Sequence, residues 1–550
     1  VNTAAHGGAA SAPGETFDYV VAGAGSAGAA LAHRLAERGR SVLLLEAGAP
    51  RQDDFWVRTP LGIAKLLMNP AYVWPFHTEP QTLLKGQKVY WPRGRLPGGS
   101  SSVNGMIWVR GEPREFDHWR ELGNVGWGHE DLLPCFKRLE SFAEGDPQWR
   151  GKAGPIGVTS LAHDPQPLAQ AFIDACVQAG IPPNPDYNGG RYEGVSYLQL
   201  NTVRGQRCGT AHGYLGSRQP PGLTLRTEAQ ALRVLFEGRR ATGLAYRWGG
   251  QEHEVRARAE VVLSSGPIKS PQLLELSGVG QGGRLQALGV PVVADLPGVG
   301  ENLADHLQSR ITFACTRPIT LNEVVSRPWR QALMGARYLL TRRGMMATPS
   351  ATAHALARAE PGDERPTVKI QIHHLSGADR YARSTGAGLD PHPGFGIGLF
   401  QLRPASRGWV HARTPSALDD PAMDPRYLSA DEDRAAMLSA LRLARRVATQ
   451  PALAGLVERE TRPGPDIQDD EGLLEYIRSS GQTSWHPIGT CRMGPDGDVA
   501  AVVDPQLRVR GVQALRVVDS SIMPTMPSSN TNAASIAIGE KAADLITGAR

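Results

Sequence analysis

A disulfide or zinc framework is missing from this 550-residue chain: its five cysteines (Cys135, Cys176, Cys208, Cys315 and Cys491) are odd in number and widely spaced, with no Cys-x-x-Cys pair. No apolar stretch approaches the length of a bilayer span, so no integral membrane segment is expected. Basic stripes are absent too. The 59 Lys and Arg are scattered among 54 Asp and Glu, and the net +5 lacks the footprint of a nucleic-acid partner. No internal repeat is present, and low complexity is confined to Val1–Thr16, a small-residue and polar segment without a signal-peptide core. Residues 1–14 are expected to form a flexible tail on a soluble, cytoplasmic protein, or a periplasmic one if a leader was removed before Val1. No metal site is expected.

What remains is the composition of a globular protein, 41% hydrophobic and 21% charged, and long enough for roughly two to four domain-sized units. Its 63 glycines and 42 prolines indicate many turns and close backbone approaches. Phe17–Ala22 reads as a buried strand and Gly23-Ala24-Gly25-Ser26-Ala27-Gly28 as a glycine turn. A helix follows with Ala27, Leu31 and Leu35 on one face, then a second strand, Ser41–Leu45, ending at Glu46. In such a unit the glycines let backbone approach a pyrophosphate at the helix N-terminus, and the acid accepts from ribose hydroxyls. Gly23, Gly25, Ser26, Gly28 and Glu46 are therefore nucleotide-binding candidates.

Further along, Leu223–Arg226, Ala231–Phe236, Ala241–Tyr246, His253–Arg256 and Glu260–Leu263 read as short strands of a meander. Ser270-Pro271 reads as the cap and first residue of a helix stopping at Gly278. The middle, from about 311 to 478, mixes strands and long helices and suits a substrate-covering domain. Trp329–Arg343 is a basic helical stretch, read as a solvated helix in preference to a membrane-surface element. Ile370–Leu375 reads as a strand on which His373 and His374 face opposite ways.

Four further blocks, read with the glycine fingerprint, carry a resemblance. They are Gly94-Arg95-Leu96-Pro97-Gly98-Gly99-Ser100-Ser101-Ser102-Val103-Asn104-Gly105, the run Gly266–Gly280, the run Leu296–His306, and His486-Pro487-Ile488-Gly489-Thr490-Cys491-Arg492-Met493-Gly494. In this order the chain closely resembles the glucose-methanol-choline flavoprotein oxidoreductases from about Phe17 to Ile546. Asn530-Thr531-Asn532 and Cys491–Gly494 look most like the bacterial alcohol, choline and sorbose dehydrogenase branch.

The resemblance implies a mixed α/β fold: a Rossmann-like FAD-binding domain (15–160, 222–312 and 481–550) interleaved with a substrate domain (161–221 and 313–480) built on an antiparallel sheet flanked by helices. It implies FAD, with Arg95, Gly98, Gly99, Ser102, Val103, Asn104, Gly105, Ala231, Asp519, Asn530 and Asn532 as further cofactor-binding positions. Val103 stands where some relatives carry a His that binds FAD covalently, so non-covalent FAD is implied. His486 is the expected general base, because imidazole titrates near neutrality and Pro487 restricts its backbone. Asn530 then orients the alcohol by donating a hydrogen bond, because a carboxamide takes no proton. Asn532 is expected to cap the last helix, with Ser535 at its third position. Trp485 and His373 are the substrate-side candidates.

The reaction implied is oxidation of a primary alcohol or polyol by hydride transfer to flavin N5, with a quinone, a dye-like acceptor or oxygen taking the electrons. An alcohol oxidase, a nicotinamide enzyme and a hydroxynitrile-lyase-type enzyme on the same scaffold stand as alternatives.

Overall fold

The computed structural model describes residues 15–216, 219–378 and 388–548; the expected tail lies outside them. Two seven-stranded sheets organise the chain. In the first, Leu223–Arg226, Val42–Leu45, Thr16–Ala22, Gln251–Leu263 and Leu515–Val517 run parallel. Tyr19–Ala22 and Val42–Leu45 are buried, as strands covered on both faces must be. Helix Ser26–Glu37 starts directly from the glycine turn, and the final helix, Asn532–Thr547, packs against it. The second sheet is antiparallel, in the order Val457–Arg462, Leu307–Cys315, Gly394–Gln401, Val368–His373, Ala351–Ala357 and Gly194–Tyr197, with Gln482–Thr483 as a seventh strand beside Leu307–Cys315. Helices Asp431–Ala448 and Pro167–Gln178 cover one of its faces. This is the mixed α/β architecture that the sequence implies.

Strand Val368–His373 shows how the second sheet makes a site. Val368, Ile370 and Ile372 enter the helix-covered core, while alternation sends Lys369, Gln371 and His373 to the opposite face. That face is buried as well, because the first sheet's loops close over it.

Local expectations differ in three places. His253–Arg256 and Glu260–Leu263 are one strand, Gln251–Leu263, because the intervening Ala257-Arg258-Ala259 holds no turn former. Its first half pairs with the meander and its second half with Leu515–Val517, while Leu223–Arg226 leaves the meander for the far edge beside Val42–Leu45. The helix expected from Ser270 begins at Gly266, with Pro267 in its first turn and Pro271 inside it. Pro271 cannot donate to the Pro267 carbonyl; Thr490 Oγ1 donates to that carbonyl instead, at 2.7 Å. Ser270 is not a cap: its hydroxyl donates to Asp519 at 2.6 Å. Finally, the last helix begins with Asn532 as its first residue and Thr531 as its cap, one position earlier than expected.

Candidate active site

Between the sheets lie two adjoining cavities, of about 710 and 140 Å³, that share Ser26, Arg93, Ser100, Ser520 and Ser535 on their walls. The smaller runs past Gly23, Gly25, Glu46, Gly99, Ala231 and Asp519. The larger runs past Val103, Asn104, Gly105, Asn530 and Asn532 to Trp485, His486 and His373. The result is an elongated space leading from the glycine turn to the paired His486 and Asn530.

At the inner end, the hydrogen-bond partners assign the ring protons of His306 and His486. His306 Nε2 lies 3.0 Å from the Leu402 carbonyl, which only accepts, so this nitrogen carries a hydrogen. Burial pushes the His306 pKa down to about 3, so the ring is neutral and its Nδ1 is an acceptor. His486 Nδ1, 3.0 Å away, is then the donor. From the other side, Lys369 Nζ donates to Asn530 Oδ1 at 2.7 Å, which turns the Asn530 amide toward His486 Nε2 at 3.0 Å. With Nδ1 as the donor and Nε2 accepting the Asn530 amide, His486 Nε2 carries no hydrogen on the cavity side, the state a general base requires. Its backbone N–H donates to Asp305 at 2.7 Å, and Asp305 is also held by Thr483 and Tyr427.

Trp485 borders the cavity with φ +63, its N–H on Thr483 Oγ1 and its carbonyl accepting from Arg93. His373 borders it too, receiving the Gln371 amide at 3.0 Å. His374 turns away to Thr352 at 2.6 Å, as alternation requires.

Family models described as GMC oxidoreductase match residues 17–308 and 404–539. The chain belongs to the GMC oxidoreductase family. The oxygen-dependent choline dehydrogenase of Photobacterium profundum is 39% identical over 537 residues, covering 97% of this chain and 93% of that protein. The mitochondrial choline dehydrogenase of Homo sapiens is 40% identical over 546 residues, covering 97% and 90%. Among solved structures, pyridoxine 4-oxidase from Mesorbium loti superposes with a TM-score of 0.86 at 32% identity, covering 96% of this chain and 98% of its own. A formate oxidase does so at 0.88 and 25%, covering 98% and 99%. This GMC oxidoreductase is accordingly an FAD-dependent enzyme that acts on CH–OH groups.

The cavities fit an extended dinucleotide. Gly25 has an ordinary φ of −75, and a Cβ there would meet only the Ser264 carbonyl, at 4.0 Å. Protein packing does not demand glycine at this position; room for a ligand does. Asn532 Oδ1 accepts from Ser26 Oγ at 2.7 Å, which leaves its buried Nδ2 with no protein partner beside the cavity. A ligand acceptor satisfies such a donor. Glu46 accepts from the Ala24 and Gly48 N–H groups, and burial lifts its pKa to about 7.

Four expected cofactor positions lie one step back from both cavities. Gly28 is required by packing, since a Cβ would come within 2.1 Å of the Gly23 carbonyl. Gly98 makes its turn at φ +86. The Ser102 hydroxyl is spent on the Pro97 carbonyl at 2.7 Å, and the Arg95 guanidinium lies over Trp74 at 4.3 Å. Asp519 borders the smaller cavity, yet it holds the start of helix Gly266–Leu276 through the Gly266 N–H and Ser270. Two residues at the inner end escape the sequence reading, His306 and Lys369. Only the alternation of Val368-Lys369-Ile370-Gln371-Ile372-His373 marks Lys369 as sharing the His373 face.

Proposed function

We propose that this chain oxidises a primary alcohol to the aldehyde with His486 as general base and Asn530 as the donor that holds the alcohol oxygen. The supporting observation is the hydrogen-bond chain from Leu402 through His306, His486 and Asn530 to Lys369, which presents an unprotonated Nε2.

An alcohol hydroxyl that displaces the Asn530 amide from its 3.0 Å contact with His486 Nε2 gives its proton to that nitrogen, and the freed amide turns to the alcohol oxygen. The imidazolium so formed keeps its Nδ1 hydrogen on neutral His306. The Asn530 N–H groups meet the negative charge that grows on oxygen, and the Lys369 contact on Oδ1 makes them stronger donors. When bound, the FAD ring supplies the acceptor for the hydride leaving the alcohol carbon. Gly25, Glu46, Asn104 and Asn532 would hold that cofactor, and Val103 offers no atom for a covalent link, so unfolding is expected to release free flavin. The cofactor-binding unit is taken as 15–160, 222–312 and 481–550, with the boundary at 312 falling inside strand Leu307–Cys315 of the second sheet.

The decisive experiment is anaerobic flavin reduction by an alcohol in His486→Ala. A fall of roughly two to four powers of ten is expected for loss of the base; reduction at the native rate would remove His486 from the mechanism.

A further inference from the structure

We propose that the substrate is an uncharged alcohol with an apolar chain and not a quaternary ammonium alcohol. This rests on the reading of the site given above. Among the described residues that line the large cavity none is Asp or Glu, while Lys65 and Arg93 are present. Asp305, the carboxylate bonded to the His486 backbone, is engaged by Thr483, Tyr427 and the His486 N–H and is not among the residues lining the cavity. Phe400, beside His486, already has Lys369 Nζ over its ring at 5.6 Å. A permanent cation entering here would meet Lys65 and Arg93 and no carboxylate among the described lining residues, and of the aromatic side chains on the wall Phe400 is already engaged by Lys369. The same wall includes Leu61, Ile63, Leu67, Met334, Leu375 and Leu389, side chains suited to bury methylenes.

The test is anaerobic reduction of the holoenzyme by straight-chain 1-alkanols and by choline. Each added methylene is expected to raise kcat/KM about three- to fourfold until the cavity is filled, with choline at least about a hundredfold below the best alkanol. Gly335 supplies the structural arm, because it lines the cavity and a Cβ there meets no atom within 4 Å. Gly335→Phe should cut activity on long alkanols and spare butanol. Choline outpacing every alkanol, or a variant that depresses all chain lengths equally, would overturn this inference and leave the role of His486 intact. If no alcohol reduces the flavin, the proposed function itself fails.

A separate observation concerns the mouth of this cavity. Helix Pro328–Thr341 has one buried residue, Tyr338. Trp329, Leu333 and Leu340 are 60, 65 and 85% exposed, and at 3.6 residues per turn they fall within roughly 40° of one another. Leu339 of the same helix, with Phe55, Trp56 and Met68, brings further exposed apolar surface to the cavity rim. Between Arg327 and Arg343 the sequence carries five arginines and no acid. The sequence alone favours a solvated helix, but these exposures reverse that reading: an apolar stripe edged by positive charge complements the surface of an anionic lipid bilayer, and we infer that this helix docks there.

Holoenzyme should float with vesicles of phosphatidylcholine containing phosphatidylglycerol and much less with phosphatidylcholine alone. Leu333→Glu with Leu340→Glu should abolish flotation and leave turnover of butanol unchanged. Flotation that is absent, or indifferent to the double variant, would overturn the inference. So would a dimer, seen by sedimentation velocity, that the variant splits, since the stripe would then belong to a second copy.

Discussion

Lys369 is fully buried, held by Asn530 Oδ1 and Ser529 Oγ, and burial drags its pKa from 10.5 to about 7. The unfolded chain keeps this proton up to about pH 10.5 and the folded chain releases it near 7, so between those values stability rises with pH. The deficit is complete below about pH 7, on the order of 5 kcal/mol, and disappears above the unfolded value. Lys369→Met should therefore raise Tm at pH 6 by a few degrees, with the gain shrinking as pH approaches 10. The same change should slow flavin reduction about tenfold, because Asn530 loses the contact that aims its amide. Melts at pH 6 and 9 with stopped-flow reduction decide the matter, and a variant less stable than the parent at pH 6 would refute the burial argument. His486 and Asn530 were legible in the sequence because each stands in a short motif. Lys369 stands in no motif, and His306 ends the block Leu296–His306 without a role being readable there, because both act only through contacts across 161 and 180 residues.

Elements were legible wherever a local pattern dictates them, as at the glycine turn and the strands expected at Phe17–Ala22 and Ser41–Leu45; the strand expected at Ile370–Leu375 exists but runs Val368–His373, two residues earlier. They were misread where a distant group supplies what the local sequence lacks. Pro271 looked like a helix start because an interior proline strands the Pro267 carbonyl, and the donor that satisfies it, Thr490, lies 223 residues away. Thr490→Val keeps the shape and removes that donor, leaving a buried acceptor unpaired. A loss of about 1–3 kcal/mol is expected in denaturant titration, and an unchanged midpoint would show that helix Gly266–Leu276 does not need the bond. Gly25 tests the opposite case. Its φ is permissive and the protein leaves its Cβ position open, so Gly25→Val should fold normally by far-UV circular dichroism yet purify colourless. Recovery of a yellow protein would mean that the cofactor does not pass this turn.

At the scale of the molecule, two sheets were readable from strand patterns and resemblance, but which run joins which sheet was not, because pairing is decided by partners far along the chain. Leu515–Val517 completes a sheet begun at Thr16, and the last helix closes the molecule against the first. Glu540 on that last helix is fully buried and receives Arg34 Nε at 2.9 Å, Arg138 Nε at 2.5 Å and the Tyr214 hydroxyl at 2.5 Å. One carboxylate thus ties four separate stretches of chain, and the helix it anchors begins at Asn532 on the cavity wall. Glu540→Gln removes the shared anion, leaving Arg34 with Glu37 at 2.7 Å and Arg138 with Asp544 at 2.9 Å as their remaining carboxylates. Both arginines retain some solvent, 15 and 34% of their side chains, which softens the penalty below that of a fully buried pair. A loss of about 2–4 kcal/mol is expected. Because Asn532 moves with the helix, flavin release and loss of circular dichroism should fall together to a lower temperature in the variant. Flavin released well before the fold melts would show that the helix start is held independently of Glu540, and an unaltered Tm would show that packing alone closes the molecule.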